Sequence, residues 1–501
     1  MLRNIGSNWV LVLVTIGTTY VLTPFIIDTL GEEGYGTWTL ITSCTGYIGL
    51  LALGVPMACV RYLAQHVAER NTATLNTMIA SCTVLYLAIG AIAVVVGVLL
   101  MPLFALYDIP TAFAAQAPVA FALMVVQVSA GFIGLLPEGI LFAHHAFVPR
   151  NLVRISGVIL RLCLTLLVLR ISGSLVLLAL VQIACLLFDV WTTWFIIRRR
   201  YPGIRIRIGD FDVQMVRRIL SFSVYVLLLT AGARLSFETA ALVIGATLGV
   251  GKIPFYVVAN NLVVYLMEFV VAIAAVVSPM ATSLATTGRR EELREMFLKW
   301  SKVALSVTLM VGLFLLVLGP KFIGWWIDPA YEHDAGEVLQ VLMISSLVFL
   351  PVRGVAVPML MGIGKPTTPA VATFAAGLAN LALSLLLVGP LGLVGIALGT
   401  AVPNVILALV VLVVACRELG ITVGCYVKYV VPRTAIGTLP ILGLLLWFRL
   451  GIEVDTMTGL AVAGSAMMLV FAVTWVFYVY RDDPYVDVRT PVIRLRAWGR
   501  A

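Results

Sequence analysis

Six ionisable side chains lie inside stretches of sequence otherwise too apolar to hold them: Arg161, Arg234 and Arg353, and the acids Asp189, Glu238 and Glu268. A charge at the centre of a bilayer costs at least ~3 kcal/mol on insertion scales, so such residues face a bundle interior or a water-filled cavity. Arginine rather than lysine suits phosphate oxygens at that depth, because its planar fork donates paired hydrogen bonds and keeps its charge. Arg234 and Glu238 stand four apart on one helical face. They read equally as a local ion pair that makes their span insertable. Three arginines spread along the chain favour a polar cavity instead. Glu268 has no partner on its own helix, which makes it a candidate proton or sodium site, or alternatively a counter-charge to Arg234 or Arg353. Glu238 and Asp189 carry the same two readings.

Other chemistry is excluded motif by motif. Gly362-Ile363-Gly364-Lys365 lacks the length and the following Ser or Thr of a phosphate-binding loop. His144 and His145 are adjacent, so a helix points them in different directions and they do not form a metal pair. No loop exceeds about 20 residues, which leaves no extramembrane domain for a catalytic centre. No catalytic residue, metal or cofactor is expected.

These residues must be positioned by membrane helices. Of 501 residues, 61% are hydrophobic and 11% charged, against roughly 25% charged in a soluble domain. Fourteen apolar runs are long enough to cross a hydrocarbon core of roughly 30 Å as helices: about residues 8–30, 35–60, 77–105, 112–141, 151–169, 174–197, 219–248, 254–282, 303–319, 337–361, 368–388, 391–415, 429–448 and 458–480. The net charge of +9 therefore reports topology, not nucleic acid. With both termini cytoplasmic, 26 of the 33 basic residues fall on the cytoplasmic side and only Arg170, Lys252, Lys321 and Arg449 fall outside, as the positive-inside rule requires. The external turns carry acids such as Glu32, Asp108, Asp334, Glu453 and Asp455. None of the seven cysteines sits in an external loop, so no disulfide framework is expected.

The chain also repeats. Pro56-Met57-Ala58 closes the second run and Pro279-Met280-Ala281 the eighth; each follows a Leu-Gly turn, Leu30-Gly31 or Leu248-Gly249. Arg161 and Gly173 match Asn380 and Gly392 at one offset of 219 residues. The repeat predicts an all-α protein with an N-lobe of helices 1–6 (1–197), a basic cytoplasmic linker (198–218), a C-lobe of helices 7–12 (219–415), helices 13 and 14 (429–480) and a basic tail (481–501), with binding near the midplane between the halves. Glu291 to Trp300 reads as an interfacial amphipathic helix, with Glu295 and Lys299 paired and Met296, Phe297 and Trp300 in the headgroup region. Gly392, Gly395 and Gly399 form a small-residue face for close helix packing.

Taken in order, several short motifs reach a family. They are Leu30-Gly31-Glu32-Glu33-Gly34-Tyr35-Gly36, Leu53-Gly54-Val55-Pro56 with Val60-Arg61-Tyr62-Leu63-Ala64, Leu242-Val243-Ile244-Gly245, Phe255-Tyr256-Val257-Val258-Ala259-Asn260, Ser278-Pro279, Met361-Gly362-Ile363-Gly364-Lys365 and Leu391-Gly392-Leu393-Val394-Gly395-Ile396-Ala397. In order and spacing the chain resembles the Wzx-type lipid-linked oligosaccharide flippases, the polysaccharide-export branch of the multidrug/oligosaccharidyl-lipid/polysaccharide (MOP) superfamily. It departs from that pattern at Ala240-Ala241, where relatives carry acidic or amide residues.

The resemblance implies two six-helix lobes around a cationic cavity plus an extra helix pair, in a bacterial cytoplasmic membrane. Its cargo would be an undecaprenyl-pyrophosphate-linked glycan, moved outward without covalent chemistry. Arg234, Arg353 and Arg161 would offset the phosphate charge, and Arg61 is either a first contact or a topology determinant. Membrane lipids, a polysaccharide polymerase and glycosyltransferases of the same pathway would be its partners. The competing readings are a cation-coupled drug exporter of the same superfamily and a membrane polymerase or ligase.

Overall fold

The computed structural model describes residues 2–52, 54–222, 224–451, 454 and 456–486. Leu53, the turn acids Glu453 and Asp455, and the tail arginines Arg489, Arg494, Arg496 and Arg500 lie outside the described residues. The described chain is helical throughout, without a strand, and divides into two compact units, Met1–Pro254 and Phe255–Ala501.

The first unit holds α1 (Leu2–Ile48), α2 (Val55–Ala68), α3 (Thr72–Leu100), α4 (Thr111–Ala114), α5 (Gln116–Ala143), α6 (Phe147–Ile171), α7 (Leu175–Arg200), α8 (Val213–Phe222), α9 (Val224–Phe237) and α10 (Thr239–Thr247). From the boundary onward run α11 (Ile253–Thr286), α12 (Arg290–Trp326), α13 (Tyr331–Gly362), α14 (Thr367–Leu419), α15 (Val423–Val430), α16 (Pro432–Gly451) and α17 (Met457–Thr474), closed by a π-helical turn at Trp475–Val479. Among the described residues, twelve helical stretches are long and apolar enough to cross a membrane.

Two of those stretches are too long for one crossing. At 1.5 Å per residue, the 47 residues of α1 and the 53 of α14 would be about 70 and 80 Å long, more than twice a hydrocarbon core of roughly 30 Å. Each breaks at one glycine: Gly31 (φ 70°, ψ 174°) in α1 and Gly392 (φ 56°, ψ −132°) in α14. Beyond Gly392 the chain folds back on itself. A Cβ on Gly395 would lie 3.1 Å from that of Leu387, and one on Gly399 would lie 2.7 Å from the Ser384 amide nitrogen. Asn380 donates to Thr400 Oγ1 at 2.8 Å across the same seam. The small-residue face read from the sequence is therefore the contact surface of this hairpin.

The repeat is visible in the backbone. Gly249 (φ 88°, ψ 156°) adopts nearly the conformation of Gly31, a region open essentially to glycine alone, and both follow a leucine. The two turns touch, because Gly36 leaves no space for a side chain against the Val250 carbonyl.

Three expectations change. The second apolar run does not continue to residue 60: α1 ends at Ile48, a 3-10 turn spans Gly49–Ala52, and Gly54 (φ 73°) precedes α2. Pro56 thus opens a helix, where its missing N–H costs nothing. In α11, by contrast, Pro279 lies inside a continuous helix. The seventh run is not one continuous helix: it is interrupted at Glu238, between α9 and α10, and both pieces pack within the first unit. The amphipathic segment at Glu291 is the start of α12, and its apolar face meets protein: Phe297 is fully buried and packs 5.4 Å from the Tyr426 ring of α15. Its charges pair at i,i+3, with Arg294 donating to Glu291 at 2.6 Å and Arg289 to Glu292 at 3.4 Å.

The basic linker is docked as well. Asn76 of α3 donates to the Gly203 carbonyl (3.2 Å) and accepts from the Arg205 amide (3.1 Å), while the Asp212 amide donates to Ser81 (3.0 Å).

Candidate functional site

Two helix interruptions meet inside the first unit. One is the end of α1 at Ile48 with its 3-10 turn; the other is Glu238, which stands between α9 and α10 at φ −113°. A helix broken at membrane depth exposes backbone dipoles, and such breaks are where membrane transporters place their ligand sites.

Charge placement follows from the break. Arg234 lies in the last turn of α9 and Glu238 at the N-cap of α10. A cation at a helix C-terminus and an anion at an N-terminus are each stabilised by the helix dipole, by typically ~0.3–1 kcal/mol. Arg234 Nη1 donates to Glu238 Oε2, one turn on. The pair is not sealed in the core: 32% of the arginine side chain and 38% of the glutamate are exposed. A guanidinium has five N–H donors, so one bond to Glu238 leaves capacity for an incoming anion.

The facing end of α1 is shaped to receive the pair. A Cβ at Gly46 would sit 2.8 Å from Arg234 Nη1 and 2.8 Å from Glu238 Oε2, and one at Gly49 would sit 3.9 Å from Arg234 Nη2. Between these glycines Tyr47 reaches across. Its hydroxyl donates to the Arg234 carbonyl at 3.3 Å and is hydrogen-bonded with Thr239 Oγ1. The Arg234 carbonyl also takes the Glu238 amide at 2.8 Å in the last regular turn of α9, so the Tyr47 hydroxyl is a second donor to that oxygen. Gly46, Tyr47, Gly49 and Thr239 were not singled out from the sequence. The trace in the sequence is a tyrosine between two glycines in the middle of the second apolar run.

The remaining sequence candidates are placed as follows. In α6, Arg161 lies against Cys185 and within electrostatic reach of Asp189 on α7. Among the described residues Asp189 Oδ1 is buried with no hydrogen-bond partner, and its carboxyl carbon would stand 3.0 Å from a Cβ at Gly157. Nearer the start of α6, Arg150 donates to Glu138 at 2.6 Å and Arg154 lies 3.4 Å from the same carboxylate. Arg61 is exposed on α2 with its guanidinium 5.9 Å from the Tyr62 ring. In the second unit, Arg353 of α13 lies 5.3 Å over the Phe349 ring one turn before it, and Glu268 is an exposed residue of α11. The structure thus brings Arg234 together with Glu238, and Arg161 close to Asp189. His144 is held by the Ile140 carbonyl (2.9 Å) and packs 4.0 Å from the Tyr201 ring.

The same architecture occurs in solved proteins. The lipid II flippase MurJ, in an inward closed conformation, superposes with a TM-score of 0.72 at 14% identity, covering 96% of this chain and 99% of that one. An inward-facing multidrug resistance MATE-family transporter of the MOP superfamily gives a TM-score of 0.68 at 17% identity, covering 82% of this chain and 98% of that one. In sequence, the uncharacterized membrane protein EpsK of Bacillus subtilis (strain 168) is 23% identical over 422 residues, 80% of this chain and 79% of EpsK. The family model described as polysaccharide biosynthesis protein matches residues 1–285, both helix breaks and the Arg234–Glu238 pair included. Matched over more than half of its length, the chain belongs to the polysaccharide biosynthesis protein family.

Proposed function

We propose that the protein is a flippase. Its cargo is an undecaprenyl-pyrophosphate-linked oligosaccharide repeat unit, moved from the cytoplasmic to the external leaflet by alternating access for cell-surface polysaccharide biosynthesis. The observation that carries this reading is the Arg234–Glu238 pair: an arginine at a helix break, neutralised by one carboxylate, a third exposed and faced by two glycines. Such a cation can trade its carboxylate for a phosphate. The exchange swaps one charge-assisted hydrogen bond, worth about 1.5–3 kcal/mol, for a bidentate one, and releases a Glu238 carboxylate that is 38% exposed rather than sealed in the core.

In this reading Arg353 and Arg161 offset further phosphate charge and Arg61 meets the headgroup early, while Glu268, Glu238 and Asp189 balance charge or couple an ion. The polyprenyl tail stays in lipid, along α16 and α17. The fourteen apolar runs are fourteen crossings, with Gly31 and Gly392 each turning one helix into two and both termini in the cytoplasm of a bacterium. Membership of the polysaccharide biosynthesis family supports a glycan cargo. The MurJ-like fold, which extends over the last helix pair where the MATE match covers less of the chain, supports a lipid-linked one. A cation-coupled drug exporter would prefer an acidic, aromatic cavity, and a polymerase or ligase would need external loops longer than this chain has.

The test is depletion of the protein in its host, followed by extraction of lipid-linked oligosaccharides. Loss of surface glycan with accumulation of the undecaprenyl-pyrophosphate-linked repeat unit is expected. Normal surface glycan with altered drug susceptibility would establish the exporter instead.

A further inference from the structure

At the far end of the second unit lies a polar cluster that the flippase reading does not use. Lys302 of α12 and Asp483, beyond the last helix, form an ion pair at 2.5 Å with side chains 1% and 0% exposed. Lys302 also donates to the Val479 carbonyl at 3.2 Å, and its ammonium stands 4.9 Å from the Tyr429 ring. Asp483 accepts from the Tyr429 hydroxyl (2.8 Å) and from the backbone amides of Tyr485 (3.0 Å) and Val486 (3.1 Å). Next to them Ser306 and Tyr480 are hydrogen-bonded at 2.9 Å, and Arg433 of α16 donates to the Arg481 carbonyl at 2.8 Å. One short segment, Arg481–Val486, is therefore tied to α12, α15 and α16 together.

The rest of the contact between α12 and the last helix pair is apolar, with Leu313 and Leu318 of α12 packed in one cluster with Ile441, Leu445 and Ala463. In lipid such packing has little directional drive, since hydrocarbon tails are as apolar as leucine. A buried ion pair, for its part, seldom outperforms apolar residues of equal volume in stability, and its best-attested use is to specify one arrangement. Together these point to position rather than stability as what the pair supplies.

We propose that Arg481–Val486 is a latch that seats the helix pair α16–α17 on α12, and that Lys302 and Asp483 are the positioning residues that hold it shut through the transport cycle. The transport half of this statement rests on the flippase reading; the seating half does not.

The experiment uses the full chain with its seven native cysteines replaced by alanine and Ser306→Cys as a reporter beneath Tyr480, purified in detergent and labelled with a maleimide. In this background the thiol should be protected, because Ser306 is 5% exposed. Lys302→Met should speed labelling about tenfold or more, the equivalent of losing a hydrogen bond to a charged group. The double variant Lys302→Met with Asp483→Leu removes both charges and so escapes the penalty of a lone buried ion. It should recover membrane abundance yet still label faster and export glycan poorly. A double variant that labels slowly and exports at the wild-type rate overturns the latch, leaving only packing. Should the double variant fail to accumulate, Tyr429→Phe removes one bond to Asp483 without changing shape. It should label several-fold faster, and unchanged labelling there overturns the proposal equally. Because labelling needs no cargo, a protein that follows the labelling pattern but moves no glycan would refute the flippase reading and leave the seating role standing.

Discussion

Gly46 presses the backbone of α1 against the Arg234–Glu238 pair: a Cβ there would stand 2.8 Å from Nη1 of the arginine and 2.8 Å from Oε2 of the glutamate. Overfilling a packed contact costs typically ~1–3 kcal/mol, and here the strain falls on the two groups proposed to meet the cargo. Gly46→Ala should cut glycan export about tenfold while membrane abundance falls far less. Gly17→Ala, on the same helix with nothing within 4 Å of its Cβ position, should leave export unchanged. Equal export by the two variants would remove the close approach from the account.

The repeated turns make a separate prediction about stability. Gly31 and Gly249 share a conformation that other residues adopt at a cost of about 1–3 kcal/mol. Gly31→Ala and Gly249→Ala should each lower the thermal unfolding midpoint in detergent, by similar amounts because the turns match. A drop in one only would break the equivalence of the two turns.

Much of this was legible because lipid imposes strict rules on sequence. Apolar length gave the helices, and the Leu-Gly pairs at 31 and 249 gave turns that the backbone repeats. The glycine spacing after Gly392 gave the face on which α14 folds back. What hydropathy could not show was the break at Glu238, since no proline or glycine punctuates Phe237-Glu238-Thr239 and the hydroxyl that reaches it, on Tyr47, lies 187 residues before its partner Arg234. Lys302 counts in the sequence only as one of the 26 basic residues on the cytoplasmic side, for the same reason. Its partner Asp483 stands 181 residues on, past the last helix.

Glu268 is exposed on α11 rather than packed in the protein interior. If it couples an ion, Glu268→Gln should abolish the dependence of transport on a proton or sodium gradient while cargo still binds. Retained gradient dependence in vesicles carrying this variant would reduce Glu268 to charge balance.

The latch has a pH signature. Burial pushes the Asp483 carboxyl up, but the hydrogen bonds from Lys302, Tyr429 and the Tyr485 backbone outweigh it and hold the group below its usual value. A carboxylate depressed in the folded state contributes stability above its unfolded pKa of about 3.9 and loses that contribution as pH falls through the lower folded value. The other titratable groups that face it are Lys302, Tyr429, Tyr480 and Tyr485. Protection of the Ser306→Cys reporter should therefore be flat from pH 8 to pH 5 and fail only below about pH 4. Loss of protection near neutrality would mean that a group other than Asp483 controls the latch.

The central claim is that Arg234 holds the cargo's phosphate, and the measurement that bears on it most directly is glycan export together with membrane abundance in four variants. They are Arg234→Lys, Arg234→Ala, Glu238→Ala and the double change Arg234→Ala with Glu238→Ala. A bidentate phosphate ligand predicts that Arg234→Lys and Arg234→Ala both lose most export, since lysine cannot reproduce the fork. It also predicts that the double variant regains abundance, with no charge left alone, but not export. A double variant that exports glycan at the wild-type rate would show that Arg234 and Glu238 serve only each other, and would contradict the account.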